Sequence, residues 1–231
     1  MNGLFEAQFW LSLLQIVGVN IVLSGDNAVV IALAARSLPP HQQSKAIVFG
    51  SLAAIVMRVI LTVFAVELLK LPYLKITGSV LLMWIAVRLL LPEGDGADSV
   101  ESRETVIAAI KTILVADLVM SLDNVIGVAA AANGDLRLLI LGRAISIPPI
   151  VCGSSMVLRL MERYPIVVTF GGALLGYIAG DMAVHDGAII AWVEESARWM
   201  EHSAGIFAAL LAVGIGKWWT WRLPSEARRI I

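Results

Sequence analysis

The residues best equipped for chemistry are carboxylates and amides that occur twice inside apolar runs. The first phrase is Asn20-Ile-Val-Leu-Ser-Gly-Asp-Asn27, and the second is Asp117-Leu-Val-Met-Ser-Leu-Asp-Asn124. The copies align Asn20 with Asp117, Ser24 with Ser121, Asp26 with Asp123 and Asn27 with Asn124. A carboxylate at the centre of a bilayer costs about 3 kcal/mol or more, so one kept there points to function. Its duplication suggests a single site assembled from two related halves.

On a straight helix, residues three, four or seven apart share a face. Asn20, Ser24 and Asn27 therefore line one stripe, and Asp117, Ser121 and Asn124 line its counterpart. Asp26 and Asp123 sit about 100° round from the adjacent asparagines. Gly25 can bend the first helix and bring Asp26 inward, whereas Leu122 takes its place in the second copy. Breaks of this kind expose carbonyls that coordinate cations in transporters.

The donors are all hard oxygens, which suit Mg²⁺, Mn²⁺ or Ca²⁺. His41, His185 and His202 lie near loops, and Cys152 is the single thiol. That disfavours a dedicated zinc or copper site. Cys152 itself lies in an apolar run and reads as a packing residue. The candidate metal ligands are Asn20, Asp26, Asn27, Asp117, Asp123 and Asn124. A purely structural reading, in which these groups hold helices together by hydrogen bonds, suits one asparagine better than three aspartates. Arg58 also falls in mid-span, with Asp26 or Asp123 as its expected partner. It reads either as an internal counter-ion for an empty cation site or as half of a static ion pair.

The elements that must hold these groups are membrane spans. The chain has 231 residues, 59% hydrophobic and 15% charged, with mean hydropathy +0.86. A soluble domain carries about 25% charged residues. The net charge of -1 and the lack of a basic run with interleaved aromatics give no footing for nucleic acid. No phosphate loop, zincin motif or nucleophile elbow is present.

Seven apolar runs are long enough to span, at about 20 residues each. They cover Phe9 to Ala35, Ala46 to Leu69, Tyr73 to Leu91, Val106 to Ala132, Leu138 to Met161, Ile166 to Val184 and Ile206 to Trp221. The first is read as a retained span, since no basic n-region or cleavage site accompanies it. Pro39-Pro40, Leu71-Pro72, Pro92-Glu-Gly-Asp-Gly and Asn133-Gly-Asp135 separate successive runs. Leu71-Pro-Tyr-Leu-Lys-Ile-Thr-Gly78 matches Tyr164-Pro-Ile-Val-Val-Thr-Phe-Gly171, a second echo between the halves.

The expected fold is thus an all-α membrane protein: seven transmembrane helices, arranged as a 3+3 inverted-topology repeat plus one C-terminal helix. Three spans per repeat force the halves into opposite orientations. Residues 1–92 form the first repeat, 93–104 an acidic linker and 105–184 the second repeat. Residues 185–204 form an extracytoplasmic loop, either a structured connector or a surface amphipathic helix. Residues 205–231 carry the seventh helix and a basic tail.

Arg36, Lys45, Arg88, Arg103, Lys111, Arg159, Arg163, Lys217, Arg222, Arg228 and Arg229 fall on one side of these spans. Lys70, Lys75, Arg137, Arg143 and Arg198 fall on the other. The larger set should be cytoplasmic, placing the N-terminus outside and the C-terminus inside. Gly172, Gly176 and Gly180 form a small-residue packing face. Pro148-Pro149 should kink or unwind the fifth span.

These phrases resemble the TerC family of integral membrane proteins, and most nearly its short YjbE-type branch. The resemblance rests on residues 23–36, 71–78 and 117–124 and extends to about Val184. It implies a seven-span inner-membrane protein tied to manganese efflux or to supplying manganese to exported enzymes. Some members are linked to tellurite resistance or alkaline response, although carboxylates would repel an oxyanion. The motif positions matched are Asp26, Asn27, Asp117, Asp123 and Asn124, with Asn20 standing opposite Asp117.

Three functions are weighed. The first is a divalent-cation exporter, with Mn²⁺ as the transported ion, driven by proton exchange or the membrane potential. The second is a delivery partner handing metal to exported metalloenzymes or working with translocation machinery. The acidic loop residues Glu194, Glu195 and Glu201 would be its exit or docking face. The third is an intramembrane aspartyl protease, but each aspartate is followed by asparagine and the expected flanking motifs are missing.

Overall fold

A computed structural model describes Leu14 and residues 17–18, 25–68, 71–91, 102–131 and 136–222. It describes their side chains except at 62–63, 65–68, 102–105, 122–131, 136–139 and 143. Within these bounds the chain is all-helical. The helices are α1 (Gly25–Arg36), α2 (Pro40–Leu68), α3 (Leu74–Leu90), α4 (Ser102–Ala131), α5 (Leu136–Arg163), α6 (Ile166–Val184), α7 (Ile190–Ser196) and α8 (Trp199–Arg222).

Proline sets several of the boundaries. Pro40 opens α2, where its missing N–H removes no helical hydrogen bond. Leu91 is extended, with φ -75° and ψ 141°, as the ring of Pro92 requires of the residue before it. Pro148 and Pro149 do not unwind α5, which is helical throughout. Both are exposed. Ser146 and Ser154 donate to the carbonyls of Gly142 and Ile150, one turn earlier in the same helix.

Among the described residues, Pro40–Leu61, Ile140–Arg163, Ile166–Val184 and Trp199–Arg222 are long and apolar enough to cross a membrane. The outer surface matches a lipid solvent: Phe64, Phe170, Phe207 and Leu210 are all exposed. The interior packs Ile47, Leu82, Ile85, Ile113, Leu175 and Met182.

Helices from the two halves interlock in a regular way. Contacts between the halves pair α1 with α4, α5 and α6, α2 with α4 and α5, and α3 with α4 and α6. Exchanging α1 with α4, α2 with α5 and α3 with α6 maps this set onto itself. The C-terminal ends of α1, α3 and α5 meet the N-terminal ends of α4 and α6 at one end of the bundle. Arg36, Arg88, Lys111, Arg159 and Arg163 cluster around that end in sequence.

Close approach depends on small residues. Helix α8 runs along α6, and a methyl group added at Gly176 would lie 2.8 Å from both the Ala208 carbonyl oxygen and Ala212 Cβ. Without a strong hydrophobic force between helices in lipid, such backbone proximity is what supplies packing energy.

The opposite end is tied by Asp186, which is 1% exposed. It follows α6, yet its carboxylate accepts hydrogen bonds from the N–H groups of Tyr73, Lys75 and Ile76, at 3.1, 2.9 and 3.2 Å. A fourth comes from Ala188 at 2.8 Å. These bonds satisfy donors at the start of α3 that no local side chain caps. Tyr73 turns through the left-handed region, with φ 63°, to present them. Beyond Asp186 the chain forms α7, whose Val193 is fully buried.

Burial works to raise the Asp186 carboxyl, but the backbone donors of Ala188, Ile76, Tyr73 and Lys75 together hold it below the usual carboxylate range. A group with a depressed folded pKa binds fewer protons when folded. Its contribution is therefore complete above about pH 4 and fades as pH falls through the folded value. Asp186→Ala should cost about 1–2 kcal/mol at neutral pH. Thermal melts of both proteins should converge in acid; a gap that is constant with pH would contradict the cap. Gly176→Leu should cost about 1–3 kcal/mol by overpacking, measured by the same melts, and loss of α6–α8 contact should be visible in crosslinking.

Candidate functional site

The site begins with the approach of α2 to α4. A Cβ at Gly50 would lie 2.6 Å from Ile113 Cδ1, so the glycine gives the end of the Ile113 side chain room between the two helices. Arg58 lies eight residues beyond Gly50, and Asp117 four beyond Ile113. The offset is about 6 Å of helix rise. An arginine side chain, leaning back toward its helix N-terminus, spans it.

Arg58 and Asp117 form a buried ion pair, 7% and 4% exposed. Arg58 Nε donates to Asp117 Oδ2 at 2.9 Å, and Nη2 donates to Oδ1. This two-pronged geometry is the strongest that guanidinium and carboxylate offer. Ser121, one turn along α4 and 2% exposed, donates to Oδ2 at 3.4 Å. From the sequence alone, Asp26 or Asp123 was the expected partner of Arg58; the two-pronged bond goes to Asp117. The sequence carries no record of the relative slide of two helices, and that slide selects the partner.

Asp26 sits in the first turn of α1, half-buried. Its Oδ1 accepts the Asn27 N–H at 2.8 Å, and its helix packs against both α2, which carries Arg58, and α4, which carries Asp117. Asn27 is buried. The structure thus brings Asp26, Asn27, Arg58, Asp117 and Ser121 to one region where α1, α2 and α4 meet. Asn20 lies outside the described residues, as does the stretch before Gly25 where a bend was expected.

Asp123 and Asn124 lie on the continuous helix α4, but their side chains are outside the described set. The helical register places Asn124 on the stripe of Asp117 and Ser121. Among the described residues no three His, Cys, Asp or Glu side chains form a metal cluster. What they form is a carboxylate held by a cation, with a second carboxylate nearby.

One anchoring residue escaped the sequence reading. Asp186 joins α3 to the segment after α6 across more than a hundred residues, and its local signal was the Asp186-Gly187 turn dipeptide.

Comparisons with known proteins agree with this architecture. Residues 5–222 match the family described as "Integral membrane protein TerC family", so the match continues through α8. The chain is 42% identical over 181 residues to the Bacillus subtilis protein YjbE, an uncharacterised membrane protein; this covers 78% of the chain and 83% of that relative. It is 25% identical over 171 residues to YceF of the same organism, covering 70% and 66%. It is 26% identical over 187 residues to the Escherichia coli inner membrane protein YoaE, covering 73% of the chain but 36% of that longer protein. No solved structure matches. With most of its length matched, its helices apolar and the duplicated acidic phrases in place, this chain belongs to the TerC family of integral membrane proteins.

Proposed function

We propose that the protein transports a divalent cation across the membrane, with Mn²⁺ as its substrate, by alternating access of two inverted three-helix halves. The reading extends to seven spans in the inner membrane, with the N-terminus outside and the C-terminus in the cytoplasm. The buried pair of Arg58 and Asp117 carries it, because one partner comes from each half. The self-mapping contact pattern between the halves supports the inverted repeat.

Asp26, Asp117 and Asp123 would supply charge to the ion, and Asn20, Asn27 and Asn124 neutral oxygens. In the empty site Arg58 takes the place of the cation at Asp117. A divalent ion and a guanidinium about 4 Å apart repel by about 8 kcal/mol at an effective dielectric constant near 20. Both cannot occupy Asp117 together. Ion entry therefore displaces Arg58 from Asp117, and the displacement moves α2 of one half relative to α4 of the other. This makes Arg58 the coupling element between occupancy and opening.

The test separates structural from transport roles. Asp117→Asn alone leaves Arg58 buried without that carboxylate and should cost about 3–5 kcal/mol. The double variant Arg58→Gln with Asp117→Asn should recover most of that stability, yet fail to restore manganese resistance in cells lacking other exporters. Asp123→Asn should likewise abolish resistance while the protein remains in the membrane. Wild-type export by either variant would overturn the assignment. Retained export with lost metallation of exported enzymes, after replacement of Glu194, Glu195 and Glu201, would instead favour a delivery role.

A further inference from the structure

A cavity distinct from the Arg58–Asp117 region lies where α1, α3 and α5 end and α4 and α6 begin. It is about 700 Å³ in volume and opens between the halves, bounded by α1 and α3 on one side and α4, α5 and α6 on the other. Its floor is apolar, with Leu33, Ile85 and Ala109 all buried. Among the described residues its lining carries Arg36 and Arg88 and one carboxylate, Glu162. That carboxylate already accepts a hydrogen bond from Gln43 at 3.2 Å.

The flank of the cavity faces outward. Trp84 is exposed, and the Arg88 guanidinium stacks over its ring at 5.2 Å. An exposed tryptophan beside an arginine is the residue pair of a membrane interface, with the ring at headgroup depth. An occupant must therefore be apolar where it meets the floor and anionic where it meets the arginines. It must also be able to enter from the bilayer side. A cation fits poorly beside two arginines, and a free phosphate leaves the apolar floor unused.

We propose that this cavity binds an anionic phospholipid, with the phosphate headgroup at Arg36 and Arg88 and the upper part of an acyl chain against Leu33, Ile85 and Ala109. Because its walls come from both halves, an occupied cavity props them apart at this end. Binding is read here without any transport assay, so the site stands or falls independently of the transported ion.

The full-length protein, purified in detergent, is titrated with phosphatidylglycerol and with phosphatidylcholine, and retained lipid is counted by native mass spectrometry. The wild type should retain phosphatidylglycerol in preference. Arg88→Gln should lower that affinity about fivefold, the effect of one basic residue near an anionic headgroup. Thr112→Trp, which fills the cavity and keeps both arginines, should lower it as well. Lys217→Gln removes an exposed charge outside the cavity lining and should change nothing. Glycerophosphoglycerol, the headgroup without chains, should not compete. Equal losses from Lys217→Gln and Arg88→Gln would mean diffuse surface attraction and overturn the proposal. So would unchanged binding in Thr112→Trp, or full competition by the chainless headgroup.

Discussion

The buried contact between Arg58 and Asp117 constrains everything around it. Neither charge is tolerable alone in a low-dielectric interior, and removing one costs more than the pair ever contributes to stability. The pair can exist only where α2 and α4 approach closely, and Ile113 packs its side chain against Gly50 where they do. The pair also needs Ser121 to occupy part of the remaining acceptor capacity of the carboxylate. A static scaffold would gain as much from apolar residues of the same volume. In the proposed cycle the charges are kept because one of them changes partner.

The rest of the bundle leaves room for that change. The set of helix contacts between the two halves is unchanged when the halves are exchanged, which is the symmetry that the proposed alternating access would use. The two ends differ in kind. At one, Asp186 pins the start of α3 to the segment following α6 through backbone hydrogen bonds. At the other, a cavity separates the same two halves. Helix α8 packs along α6 and α3 through small residues.

Much of this was legible in the chain. Pro40, Pro72 and Pro165 lie at or beside helix boundaries because their effect is local and acts through covalent geometry. The glycines of α6 were readable as a packing face for the same reason: spacing alone places them on one side of a helix. The partner of Arg58 was not readable, since it depends on how far two helices slide past one another. The role of Asp186 was hidden more deeply, because its hydrogen-bond partners lie 110 to 113 residues away. Pro148 and Pro149 show the limit of a local rule, because a continuous helix tolerates them where they face outward.

The central claim is that a divalent cation and Arg58 compete for one carboxylate during transport. It is tested most directly with vesicles containing only this protein, by following entry of radioactive manganese with and without a pH gradient. Magnesium, calcium and zinc serve as competitors. The account predicts saturable manganese flux in the wild type, reduced by hard divalent competitors, and no flux above empty vesicles in the Arg58→Gln, Asp117→Asn double variant. Flux in the double variant equal to wild type, or no flux in the wild type under any gradient, would contradict it.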